Sequence, residues 1–275
     1  MTSDRSLATI ALARRLRLHA LRMTSAAKSS HIGSCLSMAD ILAVLYGSFL
    51  RFRPAQPRWP DRDRLIVSKG HAAAIVYAAL AEAGFFPLER LASFCVEGDT
   101  LAWHVTHSGN PGVELSTGSL GHGLSVAAGM ALRLKRLRGP ARVLALLSDG
   151  ECDEGSTWEA AMFAPHHGLD NLICIIDYNK IQSFGRVDAV LALEPLADKW
   201  RAFGFAAVEV NGHDVAALRD VLARVPLDPS KPTAIICHTV KGKGIAFAEN
   251  NMAWHHQNKV TAQDAERLLA ALEAR

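Results

Sequence analysis

Two oxygen-bearing side chains close two apolar runs thirty positions apart. Residues 143–147 run into Ser148-Asp149-Gly150, and residues 172–176 run into Asp177-Tyr178-Asn179, with a helix-like stretch between them. Read as parallel strands, the runs bring Asp149 and Asn179 to one carboxyl edge, where open α/β sheets bind ligands. A carboxylate beside a neutral amide oxygen suits a hard cation such as Mg²⁺, above all one that also holds phosphate. Gly150 lets a phosphate approach the backbone. The helix start that follows offers free N–H groups and the positive end of a dipole. The chemistry implied is a Mg²⁺-diphosphate cradle. Taken alone, Asp-Gly after a strand is an ordinary turn. The spacing to Asn179, with Glu154, Gly155, Trp158, Glu159 and Ala160 between, gives it weight.

That spacing resembles the thiamine diphosphate motif, which runs Gly-Asp-Gly and then, close to thirty residues on, Asn; Ser148 stands where the first Gly is usual. Within the proteins that carry this motif, the chain resembles the transketolase family in its amino-terminal segment. The resemblance extends over residues 28–34, 61–71, 104–123, 148–181 and 239–255, in the family's order. It implies Mg²⁺ ligation by Asp149, Asn179 and the Ile181 carbonyl. It implies cofactor contacts from His71, Gly118, Ser119, Leu120, Gly150, Glu151, Asn179 and His255. His31, in Ser-Ser-His-x-Gly, and His104, seven residues before Pro111, match the family's active-site histidines, and His255 is the closing one. Ile32 and Val105 each stand where the family usually has Pro, and His107 is a neighbouring competitor to His104.

The elements that must position these residues alternate. Residues 65–67, 143–147, 172–176, 207–210 and 233–237 read as strands, with helices over 6–27, 71–84, 121–137, 194–205 and 261–275. Ser37 and Asp40 precede a further apolar helix through Phe49. Residues 85–120 carry no clear period, as a site-lining segment would. The expected fold class is α/β, a mostly parallel sheet with helices on both faces and a thiamine diphosphate-binding fold, with residues 1–275 as one domain. His213 reads as a turn residue, and Lys241 and Lys243 as a mobile surface loop. The basic residues ending the 121–137 helix read as simple dipole partners.

Composition narrows the function classes. The 275 residues are 49% hydrophobic and 21% charged, with a net charge of +3, too mild for nucleic acid. No run reaches the length of a membrane span. Five scattered cysteines without a C-x-x-C pair read as reduced thiols in the cytoplasm. The Arg-rich start reads as a first helix rather than a transit peptide.

The resemblance implies a transketolase that moves a two-carbon ketol unit from a ketose to an aldehyde, with sugars or sugar phosphates as substrates. In the family a second domain grips the aminopyrimidine ring and activates the cofactor, and no such domain follows here. The expectation is therefore a split enzyme completed by a separate pyrimidine-domain subunit, in an α₂β₂ assembly. The alternatives are the α chain of a 2-oxo acid dehydrogenase, a non-catalytic homologue that binds a partner, and a transketolase-like enzyme for an unusual sugar or nucleotide-linked acceptor.

Overall fold

The apolar runs assemble into one sheet. The computed structural model describes residues 2–254 and 262–273. Its strands are β1 (Arg64–Val67), β2 (Val143–Ser148), β3 (Leu172–Tyr178), a short antiparallel hairpin of β4 (Ile181–Gln182) and β5 (Gly185–Arg186), then β6 (Ala206–Asn211) and β7 (Thr233–His238). The hairpin stands apart. The other five pair in parallel in the order β1-β2-β3-β7-β6. Every residue of β2 and β3 is buried, as expected for parallel strands covered on both faces.

The helices, in chain order, are α1 (Thr2–Ala26), α2 (Ile32–Ser37), α3 (Ala39–Val44), α4 (Ala73–Glu82), α5 (Gly123–Arg136), α6 (Gly155–His166), α7 (Val187–Val190), α8 (Leu196–Ala202), α9 (Val215–Leu222) and α10 (Ala262–Glu273). They form a layer on each face of the sheet. Leu144, Leu146, Ile173, Ile175 and Ile235 point to one core, shared with α1–α4, α9 and α10. Val143, Ala145, Leu147, Cys174 and Ile236 point to the other, shared with α5, α6 and α8. The two-residue period of each strand thus feeds two cores.

The structure differs from the sequence reading at three places. The helix expected after Ser37 begins earlier, at Ile32, breaks at Met38 and ends in a wide turn over Leu45–Phe49. Ser37 does not cap it; its hydroxyl donates to Asp177 Oδ2 at 2.6 Å. The helix expected from Glu194 begins at Leu196, and the Glu194 carboxylate accepts from the Leu196 N–H at 2.9 Å. At the end of α5, Lys135 is not merely a dipole partner; its ammonium bridges to Asp170 at 2.6 Å.

The aperiodic stretch over 85–120, with only the short turn of 3₁₀ helix at Leu88–Ser93, is pinned to the end of β1 and the turn that follows it. Val105 N–H donates to Gly70 O at 3.0 Å and Thr117 N–H to Val105 O at 2.9 Å. Proline at 105 could not make the first bond. Thr117 Oγ1 donates to Val67 O at 2.7 Å. The approach is so close that a Cβ on Gly70 would lie 2.2 Å from Thr117 O. Gly70→Ala is therefore expected to cost about 1–3 kcal/mol of stability through overpacking. Gly129→Ala, in open space on α5, should instead add about 0.5–1 kcal/mol. Urea unfolding of the two variants checks both signs.

Candidate diphosphate and metal site

Parallel register sets the strand ends level. Ser148 lies opposite Asp177, Asp177 opposite Cys237, and Asn211 opposite His238. The residues that leave β1, β2, β3 and β7 therefore gather at one edge. A cavity of about 510 Å³ opens there, lined among others by His31, His71, His104, Gly118, Leu120, Asp149, Gly150, Asn179 and Ile181. Residues far apart in the chain meet in it.

The histidines cluster. The His31 ring centroid lies 5.2 Å from that of His71 and 6.2 Å from that of His104. His31 sits before α2 with φ of 73°, which turns its ring inward from the helix start. His71 Nε2 is 3.2 Å from Ser34 Oγ. Burial, and then the nearby Lys69, push the His71 imidazolium well below its usual range, so His71 is neutral. His104 packs on Gly118, where φ is +153° and a Cβ would come within 2.7 Å of the His104 ring. His107 is exposed and engaged with Ser116 Oγ at 2.8 Å, so His104 is the one at the cavity.

The candidate metal ligands form the floor. Asp149 accepts from Gly150 N–H at 2.8 Å and from Lys180 N–H at 2.5 Å. Burial pushes its carboxyl up to about 6; Lys241 pulls against that shift and Asp177 adds to it. Asn179 Oδ1 accepts from Ile181 N–H at 3.2 Å, and the Ile181 carbonyl accepts from Lys241 Nζ at 3.0 Å. Burial, and then Lys69, push the Lys241 ammonium down to about 7. A buried carboxylate, an amide oxygen and a carbonyl that already takes a cation form an oxygen set that fits a hard divalent ion. The neutral His71 and the Lys241 ammonium beside it fit the oxygens of a diphosphate.

Under this floor lies a buried ion pair. Lys69 Nζ donates to Asp177, and both side chains are wholly buried. Ser37 and Thr239 hydroxyls also donate to Asp177, and Asn179 Nδ2 is 3.5 Å from it. Burial pushes Asp177 up, but Lys69 and the donated hydrogen bonds prevail and hold it below the usual carboxylate range.

Two expected contacts are not made as expected. Glu151 does not line the cavity. The 3₁₀ turn over Gly150–Asp153 turns it inward, where it accepts from Ser68 Oγ, from Gly121 N–H at 2.9 Å and from Ser148 N–H at 3.4 Å. It joins three loops behind the site. Ser119 is exposed, and it is Gly118 and Leu120 on either side that line the cavity. His255 lies outside the described residues. Conversely, Lys241 is no surface loop: it is buried and faces the cavity. Its signal was its place just after a strand at the carboxyl edge, the same signal that picked out Asp149. Ser34, one turn after His31, was also missed and lines the cavity.

A parallel α/β sheet whose carboxyl edge gathers a buried carboxylate, an amide oxygen, a backbone carbonyl and a buried lysine is an open-sheet arrangement suited to a diphosphate-bearing ligand. The family model described as transketolase, thiamine diphosphate binding domain, matches residues 9–272, and the chain belongs to the transketolase family. It is 41% identical over 243 residues to a 6-deoxy-6-sulfo-D-fructose transketolase subunit of Clostridium sp. (strain MSTE9), covering 88% of each chain. It is 39% identical to an apulose-4-phosphate transketolase subunit of Phocaeicola vulgatus, covering 84% of this chain and 82% of that one. The transketolase from Leishmania mexicana superposes with a TM-score of 0.90 at 30% identity, over 96% of this chain and 41% of the longer one. Among the described residues no helix is long and apolar enough to cross a membrane.

The buried ammonium generates a prediction. Lys241 titrates near 7 in the folded chain against 10.5 when free, so the unfolded chain holds more protons between those values. Its cost to stability is full below pH 7 and fades as the pH rises toward 10.5. Lys241→Met should therefore raise the melting temperature of the cofactor-free chain at pH 6.5, with the gain shrinking by pH 10. The same variant should weaken diphosphate binding by about tenfold or more. Thermal melts at the two pH values and calorimetric titration check the two halves.

Proposed function

We propose that the chain is the diphosphate-binding subunit of a split transketolase dependent on thiamine diphosphate and Mg²⁺. It would transfer a two-carbon ketol (glycolaldehyde) unit from a ketose donor to an aldehyde or aldose acceptor. The observation that carries this reading is the Asp149–Asn179–Ile181 oxygen set beside Lys241, in one cavity with His31 and His104. Subunits of split enzymes of nearly the same length as this chain, named for sugars or sugar phosphates, support the split form and the substrate class.

Asp149, the Asn179 amide oxygen and the Ile181 carbonyl would hold Mg²⁺. His71, Lys241 and the Gly150 backbone would hold the diphosphate, and Leu120 and Gly118 would wall the ring. Thiamine diphosphate, when bound, supplies the stabilisation of an acyl-anion equivalent. His31 and His104 would hydrogen-bond sugar oxygens and move protons at hydroxyl groups, work that suits imidazole near neutral pH. His255 keeps its assignment as the closing histidine on resemblance alone. The three-histidine cluster argues against a non-catalytic homologue, and the family match against a 2-oxo acid dehydrogenase chain.

The partner would be a separate pyrimidine-domain chain, in an α₂β₂ assembly. Two surfaces support this. Phe184, 91% exposed at the tip of the β4–β5 hairpin, borders the cavity. On α6, directly after the cradle, Glu159, Met162, Phe163 and His166 follow the i, i+3, i+4, i+7 spacing of one helix face, and Met162 and Phe163 are exposed apolar side chains on it. Five unpaired thiols are consistent with a cytoplasmic location.

Titration calorimetry of thiamine diphosphate with Mg²⁺, on the chain alone and with a co-expressed pyrimidine-domain partner, tests the reading. Mg²⁺-dependent binding that sharpens with the partner and is lost in Asp149→Ala is expected. No binding in either setting would overturn it.

A further inference from the structure

We propose that His213 is a positioning residue for Lys241. Its imidazole is locked between Asp40 and the Val240 backbone, and it sets the segment that delivers the Lys241 ammonium to the cavity. The proposal rests on the function proposed above only for what Lys241 binds.

The geometry starts with β6 and β7. Asn211 pairs with His238, so the turn after β6 lies against the chain leaving β7. Gly212 N–H donates to His238 O at 2.8 Å, and a Cβ on Gly212 would lie 2.4 Å from Thr239 Cγ2. This closeness places the His213 ring beside Val240. Val240 N–H donates to His213 Nε2 at 2.8 Å, and His213 Nδ1 lies 2.7 Å from Asp40 Oδ2. A backbone N–H only donates, so Nε2 must accept, and the ring proton must sit on Nδ1 and point to Asp40. Asp40 is itself held by Arg17, with Nη2 at 2.5 Å and Nη1 at 3.2 Å. Arg17, Asp40 and His213 form a nearly buried relay from α1 through α3 to the β6 turn.

The segment after β7 is thus held at successive positions. Thr239 Oγ1 donates to Asp177, Val240 N–H to His213, and Gly242 N–H to Gly33 O at 3.3 Å. Lys241 lies between these holds. Its stem packs on Gly33, where a Cβ would come within 3.1 Å of Lys241 Cγ, and its Nζ reaches Ile181 O at 3.0 Å. A displacement of Val240 is carried directly into the lysine. The His213 ring itself does not line the cavity, so its effect on the site passes through this segment.

Two isosteric changes separate the halves of the ring. His213→Gln places an acceptor where Nε2 was and keeps the Val240 bond. His213→Asn keeps a donor where Nδ1 was and leaves the Val240 N–H without its acceptor. Three readouts apply to the full chain: calorimetric binding of thiamine diphosphate with Mg²⁺, hydrogen exchange at the Val240 amide, and the acylation rate of Lys241 by peptide mapping. In His213→Asn we expect binding about tenfold weaker or worse, faster exchange at Val240 and faster labelling of Lys241. His213→Gln should stay within about threefold of the parent on all three. Equal behaviour of the two variants, or loss in Gln with retention in Asn, would overturn the proposal. Nitrogen-15 spectra of the unmodified chain test it without any variant: a proton on Nε2 of His213 would also overturn it. If the parent chain does not bind thiamine diphosphate, the proposed function fails, while exchange and labelling still decide the role of His213.

Discussion

The site depends on one buried ion pair, Lys69 with Asp177. Neither side chain reaches water. Removing a lysine and a carboxylate from water costs several kcal/mol each, and only close pairing with further hydrogen bonds offsets it. Asp177 has those bonds. Ser37 brings in α2, and with it Ser34 and His31. Thr239 brings in the exit from β7, and with it Lys241. Lys69 brings in the exit from β1, next to His71. Asn179 is two residues further along the same strand exit. One carboxylate thus sets the relative positions of residues that are distant in the chain, and losing either charge would leave the other buried without its counter-charge.

Around this pair the site is poised for charged ligands. Burial drives Asp149 up, Lys241 down and His71 down. Each shift records what a charge costs where water does not solvate it well. A divalent cation against Asp149 and a diphosphate against Lys241 would relieve both strains together, which is the physical sense of a preorganised site. Glu151 is turned away for the same reason. Its carboxylate is satisfied by Ser68, Gly121 and Ser148, so it steadies the loops rather than adding negative charge beside a diphosphate.

Much of this was legible in the residues. The strands were visible because both faces of the sheet are covered, so their apolar runs are nearly unbroken. Asp149 and Asn179 were visible because they end such runs. Side-chain direction was not legible. Nothing in Gly150-Glu151 says that the glutamate points inward, and nothing in Val240-Lys241-Gly242 says that the lysine is buried. Both follow from which loop lies behind them, a long-range property. Ser37 was not legible for a related reason: it stands before an apolar run, and its hydroxyl finds its acceptor in Asp177, 140 positions away. His213 was read as a turn residue, which it is, and its link to Val240 exists only through the β6–β7 register.

The most direct test of the account is to replace Mg²⁺ with Mn²⁺ and record electron–nuclear double resonance with thiamine diphosphate present. The account predicts that Mn²⁺ binds in a thiamine diphosphate-dependent manner and shows phosphorus-31 coupling to the diphosphate, and that both are lost in Asp149→Ala. Mn²⁺ bound without phosphorus coupling, or coupling that persists when Asp149 is removed, would contradict the assignment of this edge of the sheet as the metal-diphosphate site.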